Sequence, residues 1–105
     1  MYETKAAFFR VLASPLRIRI LEALRAGPVS VRDLRLRLDV EQATLSQHLG
    51  ILRSRDLVHA QRRGAVVVYA IRHAEITTVL DSVRGLFDSQ LGAVQTALEN
   101  LRAEQ

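Results

Sequence analysis

The chain has 105 residues, 49% of them apolar, a formal net charge of +4 and no cysteine. One small domain spanning 1–105 is expected, and so high an apolar content at this size places part of that surface between subunits. The missing cysteines exclude disulfides, thiolate metal sites and thiol redox chemistry, and no apolar run reaches the ~18 residues of a membrane span.

No signal-peptide pattern opens the chain, so a soluble, cytoplasmic protein with no membrane partner is expected. The charge is unevenly placed. Residues 1–72 carry 13 Arg or Lys against 6 acids, whereas residues 73–105 carry 2 Arg against 5 acids. Every cation except Lys5 is arginine, whose planar fork suits phosphate. Arginine-rich composition alone is equally compatible with a solvated surface. The segregation of charge tips the balance toward an anionic partner for the first two thirds.

Residues 3–13 read as a helix with Phe8, Phe9 and Leu12 turned inward. Ser14 then caps a second helix whose first turn accepts Pro15. That helix runs through Leu16, Ile18, Ile20, Leu21 and Leu24 until Gly27-Pro28 stops it. A third short helix over 30–38 turns Leu34 and Leu38 inward and Arg32, Arg35 and Arg37 outward. Asp39-Val40 makes a tight connection into a fourth helix at 41–54.

The fourth helix carries the chemistry. Leu45, Leu49 and Leu52 recur at helical spacing and anchor one face. The rest of its surface carries Gln42, Thr44, Ser46, Gln47 and His48, donors and acceptors without fixed charge. A helix facing only water usually carries Lys and Glu there. Amides and hydroxyls on a basic domain suit base edges in a DNA major groove, with His48 at the margin of the set. Arg53 and Arg55 either clamp phosphates or solubilise the helix end.

Beyond this helix the period changes to that of strands. Runs 57–62 and 66–71 are β-rich, and Arg63-Gly64-Ala65 joins them in a hairpin whose loop can use a left-handed glycine. Arg62 and Arg63 at its tip fit phosphate or minor-groove contacts, or else an exposed charged turn; Tyr69 is expected to pack the hairpin. Residues 74–102 form a long helix whose apolar stripe, from Ile76 through Leu101, would run about 40 Å. A core this small cannot cover such a stripe, and self-association is the simplest partner.

Four helices, a basic hairpin and a final helix, with a helix-turn-helix at about 30–54, describe a winged helix. Three segments make the chain resemble the ArsR/SmtB family of transcriptional regulators. They are Leu12-Ala13-Ser14-Pro15-Leu16-Arg17-Ile18-Arg19-Ile20-Leu21, Ala43-Thr44-Leu45-Ser46-Gln47-His48-Leu49-Gly50-Ile51-Leu52, and Arg62-Arg63-Gly64-Ala65-Val66-Val67-Val68-Tyr69. The likeness covers roughly 5–72 in order and spacing; the last helix matches only in length and apolarity.

The resemblance implies a mostly α winged helix-turn-helix (α1-α2-α3-α4-β1-β2-α5), with the helix-turn-helix at 30–55, the wing at 57–72 and a dimerisation helix at 74–102. It implies a homodimer through the first and last helices that binds double-stranded DNA at an inverted-repeat operator and represses transcription. Gln42, Thr44, Ser46, Gln47 and His48 would then read bases, and Arg53, Arg62 and Arg63 would hold the backbone.

The departures concern sensing. Thiolate-sensing members carry Cys-Val-Cys-Asp-Leu on the third helix, where this chain has Ser30-Val31-Arg32-Asp33-Leu34. Of the Asp-x-His pair on the last helix of zinc and nickel sensors only Asp81 remains, and no histidine follows His73. Glu41 stands where the family often has a capping serine, which suits the positive helix end but opposes nearby phosphate.

His59, His73 and Glu75 are the residues that suggest a metal, too few for the three or four ligands of a transition-metal site. No cofactor and no metal is expected. Ser46 and His48 lie two apart on one helix and do not face each other, and no phosphate-binding glycine loop occurs, so no enzyme is expected. Three alternatives stay open: a metal-responsive regulator with a non-standard His/Asp/Glu site, a DNA-binding subunit signalled by a partner protein, and a pure protein-interaction module.

Overall fold

Two serines set the angles at which the chain enters its helices. In the computed structural model, which describes residues 1–104, Ser14 Oγ accepts from Arg17 N at 3.3 Å and Ser30 Oγ from Asp33 N at 3.1 Å. Each satisfies a backbone donor that the first helical turn leaves unpaired. Helix α1 (Tyr2–Leu12) precedes α2 (Pro15–Ala23), with Pro15 at the first helical position as expected.

Then comes a short strand that the sequence did not announce, β1 (Val29–Ser30), running directly into α3 (Val31–Leu38). Two residues are too few to show a strand period. Their extended conformation is decided by pairing with a later strand, where Val29 meets Tyr69 and Ser30 meets Val68.

The helix-turn-helix closes over three residues. Helix α3 ends on Asp39 in the left-handed region (φ 51°, ψ 54°), which Asp tolerates better than most residues, and α4 (Gln42–Ser54) starts after Glu41. Glu41 makes no side-chain capping bond. Strands β2 (Val58–Arg63) and β3 (Val66–Ile71) form the antiparallel hairpin, and the sheet order is β1-β3-β2. Only the first of the two loop residues, Gly64 (φ 64°), is left-handed, the pattern of a type II′ turn matched to strand twist. The fold is therefore mostly helical with a small β-hairpin wing.

The core lies where α2, α3 and α4 meet the sheet. Ile20, Leu21, Leu34, Leu45 and Leu52 are fully buried, with Leu24, Leu49 and Val58 nearly so. Each such side chain contributes about 1.5–3 kcal/mol of apolar burial. The leucines at 45, 49 and 52 hold one face of α4 inward and thereby dictate which residues it shows to solvent.

Helix α5 (Ala74–Ala103) joins this core only at its base, through Ile76 and Leu80. Ion pairs fasten the same stretch to α2 and the turn after it: Arg25 bonds Asp81 and also Glu22 at 3.3 Å, while Arg84 bonds Glu22 at 2.7 Å. From Asp81 to Glu104 every residue is exposed, including Leu86, Phe87, Leu91, Val94, Leu98 and Leu101.

Phe9, expected inward, is 64% exposed. It lines an open apolar groove of about 500 Å³ with Leu12, Ile18, Val79, Val83 and Phe87. The periodicity identified an apolar face correctly, but the chain itself does not cover it. No helix among the described residues is long and apolar enough to cross a membrane.

Candidate nucleic-acid interface

The ion pairs sort the arginines into two populations. Arg25, Arg72 and Arg84 meet acids, and Arg19 Nη2 donates to Leu38 O at 3.0 Å, capping α3. Arg32, Arg35, Arg37, Arg53, Arg55, Arg62 and Arg63 are exposed and meet no acid among the described residues. Seven uncompensated arginines therefore gather on α3, the end of α4 and the wing, while Arg10 on α1 and Arg102 at the far end of the chain's last helix also stand exposed with no acid among the described residues. The hydrogen bonds that Arg25 donates to Asp81 and then to Glu22 raise its pKa above its ordinary range, so it remains a cation under any working condition.

Helix α4, α3 and the wing enclose an open cleft of about 940 Å³. Arg32 and Arg35 form one wall, Gln42, Ser46, Gly50 and Arg53 the floor, and Val66, Val67 and Tyr69 the other wall. Arg35 Nη1 donates to Gln42 Oε1 at 3.5 Å, a long bond across the helix-turn-helix. Cross-strand pairing puts Arg62, opposite Val67, on the same wing face as Tyr69, opposite Ala60, and Arg63, opposite Val66, on the alternate face.

At 100° per residue, Ala43, Gln47, Gly50 and Ser54 form the crest of α4 opposite its buried leucines, and all four are exposed. Three of them are small, so the backbone of this helix can approach a flat partner closely, with Gln47 projecting from the middle. Gln42, Ser46 and Arg53 flank the crest on the cleft side. Thr44 and His48, four residues apart, flank it on the other side and are half-buried.

The predicted residues thus divide. Gln42, Ser46 and Arg53 line the cleft, Gln47 is exposed on the crest, Arg62 and Arg63 are exposed at the wing tip, and Thr44 is half-buried. His48 is turned partly inward, with Nδ1 3.1 Å from Arg17 Nη1. Sequence reading did not select Arg32 and Arg35 as site residues. Their signal was available, because a spacing of three puts both on one side of α3.

Of the candidate metal residues, His73 is engaged elsewhere. His73 Nε2 lies 3.1 Å from Asp56 Oδ2, while Arg72 Nε pairs with Asp56 Oδ1 at 3.3 Å. His59 borders a shallow pocket with Arg53 and Arg72, cations that oppose a metal ion. Asp81 is held by Arg25. No three His, Asp or Glu side chains gather in a metal-binding group among the described residues.

A family model described as a helix-turn-helix domain matches residues 12–61. The chain is 42% identical over 105 residues to the helix-turn-helix transcriptional regulator Rv0081 of Mycobacterium tuberculosis, covering 98% of this chain and 91% of that one. The crystal structure of Rv0081 superposes with a TM-score of 0.82 at 39% identity, over 88% of this chain and 93% of the other. The solution structure of Mb0332 from Mycobacterium bovis, described as a homodimeric winged helix-turn-helix DNA-binding domain of possible ArsR type, gives 0.78 at 27% identity over 86% and 83%.

The chain belongs to the ArsR/SmtB family. It is a sequence-specific DNA-binding transcriptional regulator of that type and not an enzyme. The matched helix-turn-helix segment, residues 12–61, contains both α3 and α4. Membership makes the loss of the cysteine sensor a property of an ArsR/SmtB protein: Ser30 and Arg32 occupy the thiolate positions, at the cap and first turn of α3. Ser30 there has a structural task, accepting from Asp33 N.

Proposed function

We propose that the chain acts as one domain over 1–105, with its helix-turn-helix at 30–55, wing at 57–72 and dimerisation helix at 74–102, and that two copies bind an inverted repeat in double-stranded DNA. Gln42, Thr44, Ser46 and Gln47 read base edges, with His48 at the edge of the set. Arg53, Arg62 and Arg63, joined by Arg32 and Arg35 across the cleft, hold phosphates. Bound at a promoter, such a dimer represses by occupying the site.

The observation that carries this reading is the collection of uncompensated arginines around the neutral, small-residue crest of α4. Charge there supplies sequence-independent attraction, while the crest offers groups that distinguish bases. The dimer reading rests on the apolar groove of α1, α2 and α5 and on the exposed stripe beyond it. The interval from Phe87 through Leu91, Val94 and Leu98 to Leu101 is four, three, four, three, the spacing of a helix-on-helix seam.

Selection of genomic DNA fragments with the purified protein tests the reading. The expected outcome is enrichment of an inverted repeat whose half-sites lie one helical turn apart, ~34–36 Å. Recovery of random fragments at modest salt would overturn it.

A further inference from the structure

Arg17 is half-buried near the start of α2 and meets no acid among the described residues. Its guanidinium bridges two other helices instead. Nε donates to Val11 O in the last turn of α1 at 2.6 Å, and Nη1 lies 3.1 Å from Nδ1 of His48 on α4. A guanidinium has donors and no acceptor, so Nδ1 must accept this bond. The neutral ring then carries its proton on Nε2.

The outward side of the ring follows by elimination. No side-chain nitrogen or oxygen among the described residues is buried without a hydrogen-bond partner, and Nε2 of His48 has no partner among them. Nε2 therefore opens to solvent. His48 adjoins Gln47 at the middle of the crest, so this solvent lies beside the surface that faces DNA.

We infer that Arg17 is a positioning residue for DNA recognition: it fixes the His48 imidazole as the Nε2–H tautomer, so that α4 presents a hydrogen-bond donor at this position. This rests on α4 being the reading helix. A donor there complements a purine N7, guanine O6, thymine O4 or a phosphate oxygen. It opposes the amino groups of adenine and cytosine, which an acceptor nitrogen would have met. Through Val11 the same guanidinium ties the ring to the end of α1, so the orientation of the donor is set by three helices rather than by α4 alone.

Nitrogen NMR of the His48 ring and a double-mutant cycle in DNA binding test the inference together. At mildly alkaline pH the wild-type Nδ1 should show the resonance of a bare, hydrogen-bonded acceptor, and Arg17→Met, which keeps the aliphatic stem, should move it to the position of a free lone pair. Arg17→Lys, with one ammonium in place of the fork, should restore this only in part. His48→Ala and Arg17→Met should each weaken binding to the selected operator by about 2- to 10-fold per half-site, and the double variant by no more than either single one.

A loss confined to the operator identifies a base edge as the acceptor; an equal loss on random DNA identifies a phosphate. A protonated Nδ1, a resonance indifferent to Arg17, two losses that multiply, or a silent His48→Ala would each overturn the inference. If His48→Ala is silent while Gln47→Ala relaxes specificity, only the inference falls. If both are silent, the assignment of α4 as reader falls with it.

Discussion

Replacing Arg63 with alanine separates an electrostatic wing contact from an ordinary exposed charge. Arg63 lies on β2 beside the loop, opposite Val66, exposed and without an acidic partner among the described residues. Its removal should therefore leave folding nearly unchanged. On DNA, each phosphate neutralised contributes about 0.9 to the slope of log affinity against log salt. A symmetric dimer has two wings, so Arg63→Ala should flatten that slope by roughly 1.8.

Across the fourfold range from about 50 to 200 mM salt, the deficit against wild type should shrink by roughly tenfold. Fluorescence anisotropy with the selected operator and with random DNA, repeated along a salt series, reads this directly. Both DNAs should respond alike, since phosphates carry no sequence. Arg25→Ala is the control: Asp81 and Glu22 already neutralise that guanidinium, and its slope should match wild type. An unchanged slope for Arg63→Ala, or a loss confined to the operator, would refute the argument.

Gln47→Ala should behave in the opposite way, costing ~1–3 kcal/mol on the cognate site and relaxing one base position without altering the salt slope. Binding to a panel of single-base operator variants checks it; equal losses on every sequence would remove Gln47 from the readers. Val94→Asp, at a position 56% exposed in the protomer, should leave the helical content of the α1–α4 core intact while shifting sedimentation from dimer to monomer. A variant that stays dimeric would displace the interface from the outer half of α5.

Local structure was legible wherever a residue type does one physical task. Ser14-Pro15 announced the start of α2, Gly64 announced the hairpin turn, and the leucine spacing at 45, 49 and 52 told which face of α4 is buried. What depends on distant partners was not legible. Strand β1 exists because Tyr69 and Val68 lie beside Val29 and Ser30, about 40 residues along the chain. His48 read as a marginal base contact because its bond to Arg17 spans 31 residues. Phe9 read as core because periodicity reports that a face is apolar, and says nothing of what covers it. Arg32 and Arg35 read as mere surface until the wing closed a cleft in front of them.

The two-residue strand β1 has a mechanical consequence out of proportion to its length. It pairs with the middle of β3 and passes without a break into α3, so the hairpin and the helix-turn-helix share one hydrogen-bonded frame. The distance from wing tip to reading helix behaves as the span of a fixed caliper rather than that of a hinged arm. A signal that dislodges such a body from its operator has little slack to exploit inside a single copy. In the proposed dimer it would have to act where two calipers are joined, changing their mutual angle so that both could no longer grip successive turns of the duplex at once.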